Sequence, residues 1–309
     1  MIIEPMDVLK HYEVRKSKKQ KTAFITAVTA YAASKHYSCC VEKGSLGSRN
    51  IIIGDPTKAK YLVTAHYDTC AWMPVPNFIT PCNILVYLLY QVLITCGILF
   101  FAFVLGWGIA QMIGENTFLP LSMVLLYAIL LLMIVGPANP HTANDNTSGV
   151  VAVLDIAVSL PIYMKEHVAF VLFDLEEAGL IGSASYRAKH KKQTQNQVIL
   201  NLDCVGDGDE ILFFPTPNLR KDQIACKNLH FLAGRWGRKS IKIKEKGFAF
   251  YPSDQVNFPK GVGIAAFHSV KHIGPYCSNI HTHKDTMLDP TNINILRAAL
   301  ISLIGTAVK

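Results

Sequence analysis

Five short polar clusters, far apart in a largely apolar chain, carry side chains that bind cations or move protons. Residues 61–69 read as a buried strand ending in His66, with Asp68 two positions on. A ligating imidazole needs its second nitrogen held, and a carboxylate commonly holds it. Alone, that His-x-Asp pair also reads as structural. Residues 143–149 form a polar turn before an apolar helix; Asn or Asp there could cap the helix, or Asp145 could offer one carboxylate oxygen to each of two cations. The strand over 167–175 runs into Glu176 and Glu177. Adjacent carboxylates repel each other, and a metal beside them removes that objection: one can ligate while its neighbour holds a proton in transit. Asp203 closes another predicted strand, and residues 280–286 carry His281, His283 and Asp285. Singly these are caps, turns or surface loops. In order they give His, Asp, Glu-Glu, Asp and His at comparable topological positions, a set that chance rarely assembles.

This ordered set resembles the di-zinc (co-catalytic) aminopeptidase family, of the bacterial leucyl aminopeptidase, glutamate carboxypeptidase and glutaminyl cyclase type. The similarity spans residues 51–289 once an apolar insert is set aside, with further echoes in Ala-Asn-Asp-Asn-Thr-Ser-Gly at 143–149, in Ser253-Asp254 followed by Phe258, and in residues 260–265. The resemblance implies that His66 and Asp203 bind one zinc, that Glu177 and His281 bind the other, and that Asp145 bridges. It implies Glu176 as general base and Asp68 as the group orienting His66, with Asp285 a candidate for the same service to His281. Two departures stand out. The proline usual after His-Thr is His283 here, which in the plainer reading faces solvent. The usual tyrosine donor has Tyr251 as its nearest match, for which a place in the core or pocket wall is the alternative. The fold implied is α/β: a mixed, mostly parallel sheet sandwiched by helices.

The elements that must position these residues follow from periodicity. Residues 50–53, 61–65, 167–173, 198–202, 210–214 and 263–267 read as strands; 149–159, 180–189, 221–235 and 291–307 read as helices. Acidic and histidine residues cluster just after several of the strands, the edge where open α/β sheets build their sites. A helix is expected over residues 5–36, giving a basic N-terminal helix within 1–37 and a single catalytic domain over 1–309.

No Asp, Glu, Lys or Arg occurs from residue 71 to 114, or between Glu115 and Asp145. Residues 83–113 and 118–135 are each long and apolar enough to cross a bilayer, joined by a polar turn at 114–117. The insert over 83–136 thus reads as a two-pass transmembrane hairpin, with a buried helical pair inside a soluble domain as the alternative. Gly97, Gly106 and Gly108 could pack the two helices on each other or on a second copy, as a homodimer. The formal charge of +8 places the body on the cytoplasmic side by the positive-inside rule. Its densest basic run, Arg15, Lys16, Lys18, Lys19 and Lys21, reads as a solvated helix face or a contact for anionic lipid headgroups. It has no accompanying nucleic-acid signature, so nucleic acid is not expected as a partner. Eight cysteines without CxxC spacing read as buried free thiols, and the first residues lack the pattern of a signal peptide.

Expected, therefore, is a membrane-anchored exopeptidase acting on peptide N-termini through two Zn2+ ions. An amidohydrolase of N-acyl amino acids, a glutaminyl cyclase and a non-catalytic membrane scaffold with a vestigial metal site are the alternatives. Peptides and acyl-amino acids are both expected candidate substrates.

Overall fold

Apolar runs of five or six residues, rich in Val, Ile, Leu and Phe and bounded by polar turns, build the centre of the molecule. The computed structural model describes residues 2–113, 117–245, 247 and 249–306. Its strands are β1 Cys39–Lys43, β2 Arg49–Ile53, β3 Tyr61–His66, β4 Val168–Phe173, β5 Val198–Leu202, β6 Glu210–Pro215, β7 Gly234–Trp236, β8 Lys239–Ile243, β9 Gly261–Val270 and β10 Gly274–Tyr276. Its helices are α1 Asp7–Tyr12, α2 Lys18–Ser34, α3 Ile84–Ile113, α4 Phe118–Val135, α5 Gly149–Ser159, α6 Ile181–Lys189, α7 Lys191–Thr194, α8 Pro217–Arg220, α9 Gln223–His230 and α10 Pro290–Gly305.

The strands form one mixed sheet in the order β1-β2-β4-β3-β5-β9-β6-β8-β7, with β10 on β9. Parallel pairing holds the centre, β4-β3-β5-β9, and joins β6 to β8, while the flanks are antiparallel. Both faces of the central strands are buried, which is why their sequences are continuously apolar. Val63, Ala65, Phe170, Leu172 and Leu200 pack into the larger core with α2, α5 and α10. Their alternates Leu62, Ala169, Val171, Phe173 and Ile199 meet Tyr186 and Phe258 on the other face. Each Val, Leu, Ile or Phe among them contributes about 1.5–3 kcal/mol by leaving water, so the centre is the firmest part of the frame. Because β3, β4 and β5 are parallel, their C-terminal ends share one edge. Thr64 pairs with Asn201, so two residues further along both strands Asp203 stands level with His66.

Several expected elements differ. The predicted helix over 221–235 ends at His230, and the chain turns through Gly234, whose φ of 150° favours glycine, into the hairpin β7-β8. Ala307 and the turn residues 114–116 lie outside the described residues. All eight cysteines are free, and Cys70, Cys204 and Cys277 are buried as expected, but Cys40 and Cys96 are exposed.

The N-terminal segment is two helices rather than one. Ser17 opens α2 with a capping box, its hydroxyl accepting from Gln20 N while the Gln20 side chain accepts from Ser17 N. The break before it turns residues inward. Arg15 is fully buried, and its guanidinium donates to the carbonyl of Tyr67 at 2.5 Å and to Thr147 Oγ1 at 3.0 Å. Lys21 is buried against Asp174, with Nζ 2.5 Å from Oδ1. Two of the five cations read as solvated or headgroup-facing are therefore internal, while Lys18 and Lys19 are exposed. They pin the segments that follow β3 and β4 and the turn before α5. Lys21→Met leaves Asp174 buried without its cation, so about 3–5 kcal/mol of stability should be lost. The purified protein in detergent should show a correspondingly lower thermal midpoint; an unchanged midpoint would remove this clamp role.

The apolar insert forms α3 and α4, of 30 and 18 residues, whose most apolar 18-residue stretches have mean hydropathy 2.4 and 2.7. Only 11% and 6% of their most apolar stretches are buried, so they are not core helices of the body. They cross where Ala102, Gly106 and Ala110 line one face of α3. A Cβ on Gly106 would lie 2.1 Å from Ser122 Oγ, whereas Gly97 and Gly108 face open space. Of the three glycines, only Gly106 serves this crossing.

Candidate metal centre

At the shared strand edge, His66, Asp145, Glu176, Glu177, Asp203 and His281 line one cleft of about 250 Å³. His66 Nε2 lies 3.4 Å from Asp145 Oδ1 and 3.5 Å from Asp203 Oδ1. His281 Nε2 lies 3.1 Å from Asp145 Oδ2 and 3.4 Å from Glu177 Oε2. Asp145 thus turns one oxygen to each imidazole. Glu177 comes within ion-pair reach of a histidine. Glu176, in the same Glu-Glu pair, stands further back, with an oxygen within 4.8 Å of donor atoms of His66 and Asp203.

Local structure explains the placement. Leu175, Cys204 and His281 all have φ near +55° to +65°, a region ordinary residues seldom enter. These bends fall immediately before Glu176, immediately after Asp203 and at His281 itself. Asp145 is held from both sides. Asn144 Oδ1 accepts from Gly206 N (2.7 Å) and Asp207 N (3.1 Å), while Asn146 Nδ2 donates to Leu202 O (3.0 Å). Asn146 Oδ1 also accepts from Gly149 N at 3.0 Å, the helix-capping role open to this turn. A Cβ on Gly149 would lie 2.4 Å from that oxygen and from Leu202 O, so the turn requires glycine.

Two carboxylates also hold the main chain of the site. Asp68 meets His66 through its main chain: Nδ1 donates to the Asp68 carbonyl at 3.1 Å, while the carboxylate stands 3.6 Å away. That carboxylate instead accepts from Glu176 N (3.0 Å) and Glu177 N (3.2 Å), and so holds both glutamates in place. Asp285 likewise accepts from Asn144 N (2.8 Å) and Asp145 N (3.0 Å) rather than bonding to His281. Tyr251 lines the cleft and donates its hydroxyl to the Asp203 carbonyl at 3.2 Å. His283 is exposed.

Sequence reasoning gave no role to Asp254 or Cys70. Asp254 is wholly buried with neither carboxylate oxygen hydrogen-bonded, and burial, opposed by the His66 charge, raises it to about 7. Cys70 Sγ lies within 4.8 Å of donor atoms of Glu177 and His281. The only sequence signal for Asp254 was the Ser-Asp pair preceding Phe258.

The electrostatics call for added positive charge. Burial raises Glu176 well above the carboxylate range, and the charges of Glu177, Asp203 and Asp254 push it further. Burial takes Glu177 up to about 8. Against burial, which pushes imidazoles down, Glu176 and Glu177 hold His66 well up and His281 at about 9. Burial likewise opposes ionisation of Asp145, yet hydrogen bonds to His281 and His66 hold it low. Glu177 Oε1 and Asp203 Oδ1 are buried without hydrogen bonds. Because Nδ1 is held by the Asp68 carbonyl, a cation that displaced the Nε2 proton would find that nitrogen's lone pair facing two carboxylates. Imidazole and carboxylate donors 3–3.5 Å apart, with orphaned oxygens among them, fit a pair of divalent cations at ordinary ligand distances of about 2.0–2.2 Å.

The sequence model of peptidase family M28 matches residues 130–304. No curated protein matches the chain by sequence. Among solved structures, Porphyromonas gingivalis glutaminyl cyclase superposes with a TM-score of 0.60 at 14% identity, over 98% of this chain and 97% of that one. A Bacteroides thetaiotaomicron leucine aminopeptidase precursor gives 0.59 at 15% identity over 98% and 94%. The LapA aminopeptidase of Legionella pneumophila gives 0.58 at 14% identity over 97% and 69%. At these identities the likeness is one of fold, and it agrees with the mixed sheet and flanking helices.

Proposed function

The chain belongs to peptidase family M28, and from that premise we propose that it is a membrane-anchored, zinc-dependent exopeptidase of the aminopeptidase type. The observation that carries the reading is the convergence of His66, Asp145, Glu177, Asp203 and His281 with Glu176 at their side. His66 and Asp203 would hold one zinc, Glu177 and His281 the other, and Asp145 both. Bound there, the metal would supply Lewis acidity, easing deprotonation of a water and polarising the scissile carbonyl.

The chain's own groups do the rest. Glu176, held by Asp68 through its amide, takes one proton as the water oxygen bonds the carbonyl carbon. It returns that proton to the leaving nitrogen as the C–N bond breaks, leaving a carboxylic acid and an amine, and the acid's remaining proton passes to the amine to give carboxylate and ammonium. Asp285, Asn144 and Asn146 keep Asp145 in place, and Arg15 and Lys21 brace the loops behind. With its hydroxyl on the Asp203 carbonyl, Tyr251 serves as a pocket wall.

The two exposed apolar helices support membrane anchoring. Few Lys or Arg flank them in sequence, yet Lys16 Nζ donates to Ile134 O, 2.6 Å away at the end of α4, with Lys18 and Lys19 exposed one turn on. Cations at the hairpin base favour a cytoplasmic body and contact with anionic lipid.

Metal content of the purified protein and hydrolysis of an aminoacyl reporter, before and after chelation, test this. About two zinc ions per chain and turnover lost on chelation are expected. One zinc with cyclisation of N-terminal glutamine would favour the cyclase; no metal and no turnover would favour the scaffold. Zinc must displace protons from Glu177 and His281, so reactivation should need more free zinc as pH falls from 9 to 6. The rise should be about tenfold per unit for each proton released. A requirement independent of pH would argue against these ligands.

A further inference from the structure

The hairpin does more than leave the body. A second cavity, of about 260 Å³, is walled by α3, by α4, by the loop after β3, and by Glu177 and His281, which also line the cleft. Tyr90, Gln91 and Ile94 face it from one side of α3 and Met133 from α4. These four are half-buried, whereas Leu89, Val92, Leu93 and Leu132 next to them are 55–67% exposed. The wall is fastened to the candidate metal centre. Tyr90 donates its hydroxyl to the Pro76 carbonyl, and its ring packs on Phe78 with centroids 5.4 Å apart. Met73 N donates to His281 O at 2.8 Å, and Ile79 bridges to Cys277.

Helix lengths set the depth of this cavity. At 1.5 Å per residue α3 is about 45 Å long and α4 about 27 Å, against a hydrocarbon core of about 30 Å. The surplus of α3 over its partner lies at its N-terminal end, beside the body, and includes Tyr90 and Gln91, while Ile94 lies level with the end of α4. The cavity therefore sits where the hairpin leaves the bilayer. It is smaller than the roughly 300–1,000 Å³ of a pocket that takes a whole drug-sized ligand, so it suits one part of a substrate.

Resting on the exopeptidase reading, we infer that the hairpin base is a specificity pocket for a hydrocarbon group attached beside the scissile carbonyl, and that the enzyme's substrates are amphiphilic amides entering from the membrane surface. The group is attached there because Glu177 and His281 wall both spaces. Two sources share this chemistry: an apolar side chain on the N-terminal residue of a peptide, or the acyl chain of an N-acyl amino acid.

The test uses the full-length protein in nanodiscs. The substrates are aminoacyl anilides with straight side chains of one to six carbons and, as a second arm, N-acyl glycines of matching chain length. In one arm, kcat/KM should rise about fourfold per added methylene, and which arm does so names the source. Ile94→Trp, and independently Met133→Trp, should lower the ratio of longest to shortest substrate at least tenfold. Partition into lipid cannot mimic this, because the variants leave it unchanged. A flat length series, or an unchanged ratio in both variants, overturns the inference. A diazirine-bearing norleucine amide supplies a readout without turnover: photolabelling should fall on the stretch around Tyr90–Ile94 or on Met133. Should the wild type hydrolyse nothing, the exopeptidase reading fails. Labelling at those positions would then still support the pocket, and labelling only elsewhere would overturn it.

Discussion

Glu176→Gln is expected to retain bound zinc and to lose about 10²–10⁴ of its turnover, the range associated with a positioned general base. The substitution keeps the size of the side chain and the main-chain bond from Glu176 N to Asp68. It removes the acceptor for the proton. Metal should stay because Glu177, rather than Glu176, stands 3.4 Å from His281. The distinction between the two glutamates is therefore testable: Glu177→Gln should lower metal content together with rate. Kinetics on the aminoacyl reporter, paired with elemental analysis of the same preparations, separates them. A Glu176→Gln rate equal to wild type would remove Glu176 from its assigned role.

Asp145→Asn should have the largest effect on the metal itself. The carboxylate faces His66 with Oδ1 and His281 with Oδ2, so it alone belongs to both halves of the centre. An amide offers one oxygen, and its nitrogen is a donor, unable to ligate in that orientation. Metal content should fall from about two ions to one or none, and turnover by about 10³, on the scale of losing one stabilising partner of a transition state. Elemental analysis and single-turnover rates at saturating zinc check this. Two ions with full activity would show that Asp145 does not bridge. The Asp285 carboxylate accepts from the main chain of Asn144 and Asp145, so Asp285→Asn should act more weakly, through misplacement of the same carboxylate.

Strand ends and the apolar hairpin were legible in the sequence because their signals are local. A run such as residues 168–173 is apolar throughout since both its faces are covered, and the polar residue that ends it, here Asp174 leading to Glu176, marks the sheet edge. Once the central strands are parallel, His66, Glu176 and Asp203 must fall on one side. Strands β1, β7, β8 and β10 were not legible: they are amphipathic, edge-lying or only three residues long, and no apolar run announces them.

Composition and spacing by themselves determined where ligand-type residues fall along the chain, the order in which they arrive, and that two helices are too apolar to cover the body. Tertiary structure alone decided what each supporting charge does. Arg15 and Lys21 look like surface cations until Tyr67, Thr147 and Asp174, 52 to 153 positions away, accept their hydrogen bonds. Asp68, beside His66, also clamps the Glu-Glu main chain, and Lys16 reaches the end of α4. Hydropathy and propensity act over a few residues, whereas the partner of a buried charge is chosen by strand register and packing between segments that meet only when the chain folds.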